Sequence, residues 1–293
     1  MPHLTIQTGR LGRIVLVLVL AGTTLMAGAL ESAQGATETR AMWVWSFGNA
    51  ATTVKFAKAR GITQLFVSVP DDVTTSSQLP RLRDLSSRAR AAGMRVDALG
   101  GQPGWIDDPT WVVDHWLRPA IATGLFTGIH VDMEPYTTPS WTSDRAGVVN
   151  RYLSTLTALS AAAGPTHPVE ADIPFWFNQI PAGSGSTFDR EIITRTAGIT
   201  IMAYRNTAAG PDGTIALAAP EVAAAASLGK PARIGQETNY LGSDPESVKQ
   251  TFYGMTRTRM EIQLAQVRQA FAGNAGYAGL AIHDFTGYSA MKR

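Results

Sequence analysis

Polar and apolar residues alternate along Gly128–Pro135: Ile129, Val131 and Met133 take one set of positions, and His130, Asp132 and Glu134 the other. A period of two predicts a strand, and it places three ionisable groups on one face. Around this stretch one phrase recurs, a run with helical spacing, then a glycine, then a short apolar segment. It reads as AKARGITQLFVSV, RAAGMRVDALG, IATGLFTGIHVDM, AAAGPTHPVEADI, TAGITIMAY, SLGKPARIGQE and FAGNAGYAGLAIHD. The glycines at 61, 93, 124, 164, 198, 229 and 273 stand where a left-handed residue would end each helix. With RAMWVWSF added at the start, eight strands are predicted, beginning near residues 42, 64, 94, 128, 169, 199, 232 and 278. A repeat of about 34 residues suits the strand, loop, helix and turn of a closed parallel barrel.

Helix starts agree with this register. Asp108 stands as an N-cap before Pro109, and Ser143 as the cap of a helix carrying Leu153, Leu156 and Leu159 at helical spacing. An open doubly wound sheet would show a Gly-rich phosphate turn after an early strand, whereas the first strand here runs into SFGNAAT. The expected fold is therefore α/β, a single-domain (β/α)8 TIM barrel over residues 37–293. Its last helix is truncated, because only TGYSAMKR follows the final strand. AGSGST and NTAAGPDGT read as mobile loops between elements. Residues 1–36 read as a secretory signal peptide: Arg10 and Arg13 precede IVLVLVLAG, and ESAQGA offers small residues for cleavage near Gly35 or Ala36. An uncleaved anchor is the alternative, with a near-spanning apolar stretch diluted by Gly and Thr. The expected product is secreted, with no stable membrane insertion after cleavage.

Charge and composition narrow the function. A formal net charge of +2 with no run of Lys and Arg argues against a nucleic-acid partner. Absence of cysteine removes thiol catalysis and disulfides, so the core alone must stabilise an exported monomer. No G-x-S-x-G elbow is present. The first strand has WVW where metal hydrolases on this scaffold carry His-x-His; a site made of His130, Asp132 and His283 is the metal alternative, but it gives Glu134 no role. No cofactor is expected.

With Ile129, Val131 and Met133 turned to the helices, His130, Asp132 and Glu134 must face the barrel interior and climb toward its C-terminal end, where barrel active sites lie. Residues two apart on a strand are separated by about 6.6 Å, so Asp132 would raise the proton affinity of Glu134 and make it a general acid. Protonating a glycosidic oxygen needs such a group. A buried polar network without catalytic purpose is the other explanation of the same pattern.

FTGIHVDME resembles the fourth-strand signature of glycoside hydrolase family 18, D-G-x-D-x-D-x-E, with Gly128, Asp132 and Glu134 matching and Thr127 and His130 at two acid positions. IMAYRN is similar to that family's M-x-Y-D at Met202 and Tyr204, with Arg205 in place of the acid. GLAIHDF resembles the segment bearing a sugar-stacking Trp, with His283 at that position. The resemblance implies that Glu134 is the proton donor and that Asp132 orients it. Tyr204 would hold a neighbouring N-acetyl group, whose own oxygen attacks the anomeric carbon. Two other readings stay open. Glu237 in RIGQETNY, at the end of the seventh strand, could act as a nucleophile opposite Glu134 in a retaining glycosidase, or serve as a loop acid paired with Arg205 or Arg233. The substituted motif positions would also suit a non-catalytic carbohydrate-binding barrel. For sugar contact the candidates are Trp45, Trp105, Trp176 and Tyr240 as flat rings, His130 and His283 within the site, and Asn178, Asp71, Asp72 and Asp107 as hydroxyl partners.

Overall fold

The computed structural model describes residues 38–183 and 185–293; the expected signal peptide and its cleavage site near Gly35 or Ala36 lie outside the described residues. Eight parallel strands, β1 (Thr39–Val44), β2 (Gln64–Ser68), β3 (Arg95–Gly100), β4 (Gly128–Val131), β5 (Val169–Pro174), β6 (Gly198–Met202), β7 (Ala232–Glu237) and β8 (Tyr277–His283), close into a barrel in chain order. The barrel shuts through β8 on β1, with Ala41 opposite Ala281. Each strand begins close to where the periodicity places it. Six of the seven helix-ending glycines take φ between 64° and 81°, the region that only glycine enters without strain. Gly198 is different: it opens β6, where a Cβ would press on Pro231.

Alternation sorts side chains between two interiors. Ile129, Val131 and Met133 join the core shared with the surrounding helices, alongside Trp116, Leu153 and Leu156. Each such side chain contributes about 1.5–3 kcal/mol on burial. Inside the barrel only a small apolar cluster forms, of Ala41, Trp43, Phe66, Leu99 and Ala281. The rest of the lumen is polar and buried: Gln64, Asp97, His130, Glu170, Asp172, Thr200 and Arg233. Barrel interiors are ordinarily packed with branched apolar residues, so this lumen is unusual.

Local detail confirms some expectations and corrects others. Asp108 caps its helix as expected, accepting from the Trp111 N–H at 2.9 Å. That helical run widens over Val113–Leu117, because Pro119 has no N–H for the His115 carbonyl. The freed carbonyl accepts from Asp72 N instead, at 2.6 Å. The helix Arg145–Ala163 is capped by Asp144, which takes the Gly147 N–H at 3.0 Å; Ser143 instead ends the preceding turn Ser140–Ser143. A carboxylate outcompetes the neighbouring hydroxyl because it also complements the helix dipole. The NTAAGPDGT loop is tied down through Asp212, which meets Arg205 at 2.8 Å and Lys249 at 2.7 Å. The last helix is short, Phe285–Ala290. Among the described residues no helix is long and apolar enough to cross a membrane.

Buried acids also lie outside the barrel, on the helices. Glu221, on the helix Thr214–Ser227, is fully buried and neither carboxyl oxygen finds a hydrogen-bond partner among the described residues. Burial, aided by the charge of Asp189, lifts it to about 8. Its folded value lies above the unfolded one, so its contribution is intact below about pH 4.3 and is lost as pH rises through 8. The wild type is therefore expected to lose melting temperature against Glu221→Gln between pH 5 and 9, by about the shift that linkage gives. Thermal melts of both proteins at the two pH values check this; a constant gap would remove Glu221 as the cause.

Candidate active site

The site is built upward from a chain of charges at the barrel centre. Arg233 on β7 donates to Glu170 on β5 at 2.6 Å, and its Nε donates to Thr39 Oγ1 at 2.9 Å. Burial opposes ionisation of Glu170, but the Arg233 charge and then His130 outweigh it and hold the carboxyl down at about 2. His130 is fully buried and stacks on Phe66 with ring centroids 3.5 Å apart. Its Nε2 meets Asp172 Oδ1 at 2.8 Å and its Nδ1 faces Glu170 Oε2 at 3.8 Å. Burial disfavours charge on the ring, yet the two carboxylates prevail and lift it to about 9. Asp172 also accepts from Trp43 Nε1 at 2.9 Å.

Above this layer the chain of β4 continues past Val131 with the same alternation, so Asp132 and Glu134 face the mouth. Gly101 makes that path possible, since a Cβ there would overlap the Asp132 backbone. Asp132 Oδ1 is buried with no hydrogen-bond partner among the described residues. Burial first, then the charges of Asp172 and Glu134, push the Asp132 carboxyl well above its usual range. The sequence reading put the raised proton affinity on Glu134; the structure puts it on Asp132, the more enclosed of the two. Glu134 Oε1 accepts from Tyr136 OH at 2.5 Å.

Asp132, Glu134, Tyr204, Glu237, Trp176 and His283 all line one cleft of about 510 Å³ over the C-terminal ends of β4 to β8. A larger hollow of about 810 Å³ lies on the outer wall near Arg40, Arg60 and Arg257; its single acid, Glu261, is bound to Arg40, so it offers no acid pair. In the cleft, Tyr204 OH makes no hydrogen bond to a described residue, and burial with the charge of Glu237 pushes its phenol well up. Glu237 is fully engaged: Oε1 accepts from Thr238 N, Asn239 N and Asn239 Nδ2 at 2.7, 2.6 and 2.9 Å. Its Oε2 lies 2.7 Å from His283 Nδ1. Trp45 Nε1 donates to His283 Nε2 at 2.9 Å, which leaves the ring proton on Nδ1, toward Glu237. Burial opposes a second proton, while Glu237, Asp132 and Asp284 favour it and lift His283 to about 9; the indole N–H works against this by requiring a bare Nε2.

The other sequence-predicted residues lie elsewhere. Trp45 is 36% exposed at the rim and reaches the site through His283. Trp105 is only 4% exposed and packs on Trp116 in the core, so it presents no face to a ligand. His130 is sealed beneath the cleft, and with both nitrogens facing carboxylates it has no lone pair aimed at a metal or a sugar. Asn178 and Tyr240 are not among the residues lining the cleft; Tyr240 borders a separate cavity. Asp72 pairs with His115 and Asp107 with Arg151. Sequence reasoning missed Glu170, Asp172, Tyr136 and Phe175, and it offered Arg205 or Arg233 to Glu237 where the structure pairs Arg205 with Asp212 and Arg233 with Glu170. Glu170 and Asp172 had a visible signal, since VEADIP alternates acids with apolar residues just as GIHVDME does.

No family model matches this sequence, and a search of curated proteins finds no match either. By fold, the chain is similar to solved chitinase barrels, among them one of family GH18. A family GH18 chitinase from Cycas revoluta, solved in complex with allosamidin, superposes with a TM-score of 0.57 at 13% identity, covering 85% of this chain and 95% of that one. A chitinase from Bacteroides thetaiotaomicron gives 0.57 at 12% identity, covering 85% and 90%. The spore cortex-lytic enzyme SleL of Bacillus cereus gives 0.54 at 11% identity, covering 85% and 71%. At these identities the likeness is one of architecture.

The charge chain generates a prediction. Arg233→Ala leaves Glu170 buried beside His130 without its arginine, and should cost about 3–5 kcal/mol in urea denaturation. Adding Glu170→Gln should restore much of that loss; simple additivity of the two changes would mean that the pair is not coupled.

Proposed function

We propose that this protein is a secreted, monomeric glycoside hydrolase that cleaves an oligo- or polysaccharide at an N-acetylated sugar, with Glu134 as general acid. The observation that carries the reading is the convergence of Asp132, Glu134 and the unpartnered Tyr204 hydroxyl on one cleft at the strand ends. Burial and the charges of Asp172 and Glu134 favour the protonated form of Asp132, so the acid pair can carry the proton the reaction needs. Glu134, nearer the mouth and oriented by Tyr136, passes a proton to the glycosidic oxygen as the C–O bond breaks. The substrate's acetamido oxygen forms the new bond to the anomeric carbon, which explains why no protein nucleophile is required. In that same step the Asp132 proton reaches the glycosidic oxygen through Glu134, so both carboxylates are left ionised and Asp132 faces the cation that develops on the acetamido group. Water then adds to the anomeric carbon, Glu134 takes its proton, and the acetamide is restored. Trp176, standing edge-on to Tyr136 with centroids 5.3 Å apart, offers a half-buried ring to the sugar face.

Glu237 fits a positioning role better than that of a nucleophile, because both of its oxygens are engaged by Thr238, Asn239 and His283. Export rests on the Arg10, Arg13 and IVLVLVLAG segment, and the site as read needs neither cofactor nor metal.

Incubation of the mature protein with polysaccharides, N-acetylated and not, followed by mass analysis of products, tests the activity. Glu134→Gln is expected to lower kcat/KM by about 10²–10⁴ while glycan binding persists; unchanged turnover would take Glu134 out of the mechanism. Glu237→Gln is expected to stay near wild-type turnover, and its inactivation with a trapped glycosyl-enzyme on the wild type would establish the covalent route instead. Tight binding of a glycan with no hydrolysis by the wild type would establish a carbohydrate-binding barrel.

A further inference from the structure

A second cavity, of about 470 Å³, opens on the same end of the barrel and takes no part in the chemistry above. The turn that follows β7 divides the two: Leu241 faces the cleft, while Thr238, Asn239 and Tyr240 face the second cavity. Tyr240 and Tyr253 are 59% and 57% exposed, well beyond what packing requires of tyrosines. Their centroids are 5.2 Å apart with planes inclined at 61°, so one ring supports the other edge-on and leaves an aromatic face open. Met255 and Met291 also border this cavity, and Asn239, Thr286 and Lys292 add polar groups to its walls. Gly287 lets the wall close, since a Cβ there would press on Thr238 Oγ1 and Asn239 Oδ1.

We propose that this cavity is a second carbohydrate site that takes a pyranose ring from a distant part of the polysaccharide whose scissile bond lies in the cleft. The inference rests on the glycosidase reading for its ligand class. A tyrosine face suits the apolar C–H side of a sugar, and amide, hydroxyl and ammonium groups suit its hydroxyls. Its position on the catalytic end, across one turn from the cleft, allows one long chain to occupy both sites. Binding two segments of one chain raises affinity through effective concentration, so the gain appears for polymers and not for short oligosaccharides. Asn239 ties the two sites together, because its Nδ2 donates to both Glu237 and Asp284.

The test uses the full-length mature protein in affinity gels containing glycol chitin, hyaluronan, xylan or dextran, with Tyr253→Ala and the Tyr240→Ala/Tyr253→Ala pair. The retained polymer is expected to hold the double variant about tenfold more weakly, the equivalent of about 1.4 kcal/mol. For Tyr253→Ala, turnover of a matching tri- or tetrasaccharide should stay at the wild-type level while KM for the polymer rises. Equal retention of wild type and double variant would overturn the second site and leave the catalytic reading intact. Conversely, unchanged turnover by Glu134→Gln alongside weakened gel retention in the tyrosine variants would sink the catalytic reading and keep the site. Retention by no polymer overturns the proposal, as does sedimentation showing that the tyrosines join two copies of the chain.

Discussion

A charged histidine enclosed between two carboxylates is the constraint around which the rest of this barrel is arranged. An isolated ion in a protein interior is prohibitively expensive, so a buried charge persists only where its partners are fixed in place. Here the partners come from every side: Asp172 and Glu170 from β5, Arg233 from β7, the Trp43 N–H from β1, and Phe66 from β2 as a flat support. Breaking any member strands another. The network therefore fixes the relative height of five strands, β4 among them, and with it the level at which Asp132 and Glu134 emerge.

That floor also sets the chemistry above it. The family-18 motif has an acid where this chain has His130, which at first suggests a dismantled site. Asp172 supplies a carboxylate from the adjacent strand, and its charge is the strongest of those acting on Asp132. His130 pairs with Asp172 at 2.8 Å beneath Asp132. An acid on β5 therefore lies beneath Asp132, and a carboxyl pressed to hold its proton is the consequence.

The fold was legible because its signals are local and repeated: eight apolar segments, six left-handed glycines and helix-length spacers leave little room for another architecture. Asp132 and Glu134 were legible because period-two alternation assigns a face without knowledge of the tertiary structure, whereas Tyr204 and His283 were singled out by their resemblance to family 18 segments. Trp105 and Tyr240 were not, since a strand-end aromatic can turn toward the core or over the neighbouring turn with equal sequence cost. The raised proton affinity of Asp132 was equally out of reach. Proximity alone says that one carboxyl must be raised, and only the depth of each, with Asp172 below, decides which. Tyr136 and Phe175 lay in irregular segments, where no periodicity constrains direction.

Two departures from the motif change the shape of the cleft more than its chemistry. Arg205, in the place of an acid, donates to Asp212 and approaches Glu246 at 3.5 Å, while its own backbone neighbour Tyr204 keeps its hydroxyl free. It therefore fastens the loops after β6 and β7 against the cleft, where Glu246 and Gln250 become part of the wall. His283, in the place of a tryptophan, removes a broad hydrophobic plate and substitutes a small polar ring clamped between Glu237 and Trp45. A pocket floored by a plate selects mainly by stacking, whereas one floored by an imidazole and edged by an arginine selects by hydrogen bonding. Buried polar groups discriminate strongly against ligands that leave them unpaired, and Arg205 and His283 place such groups on this cleft.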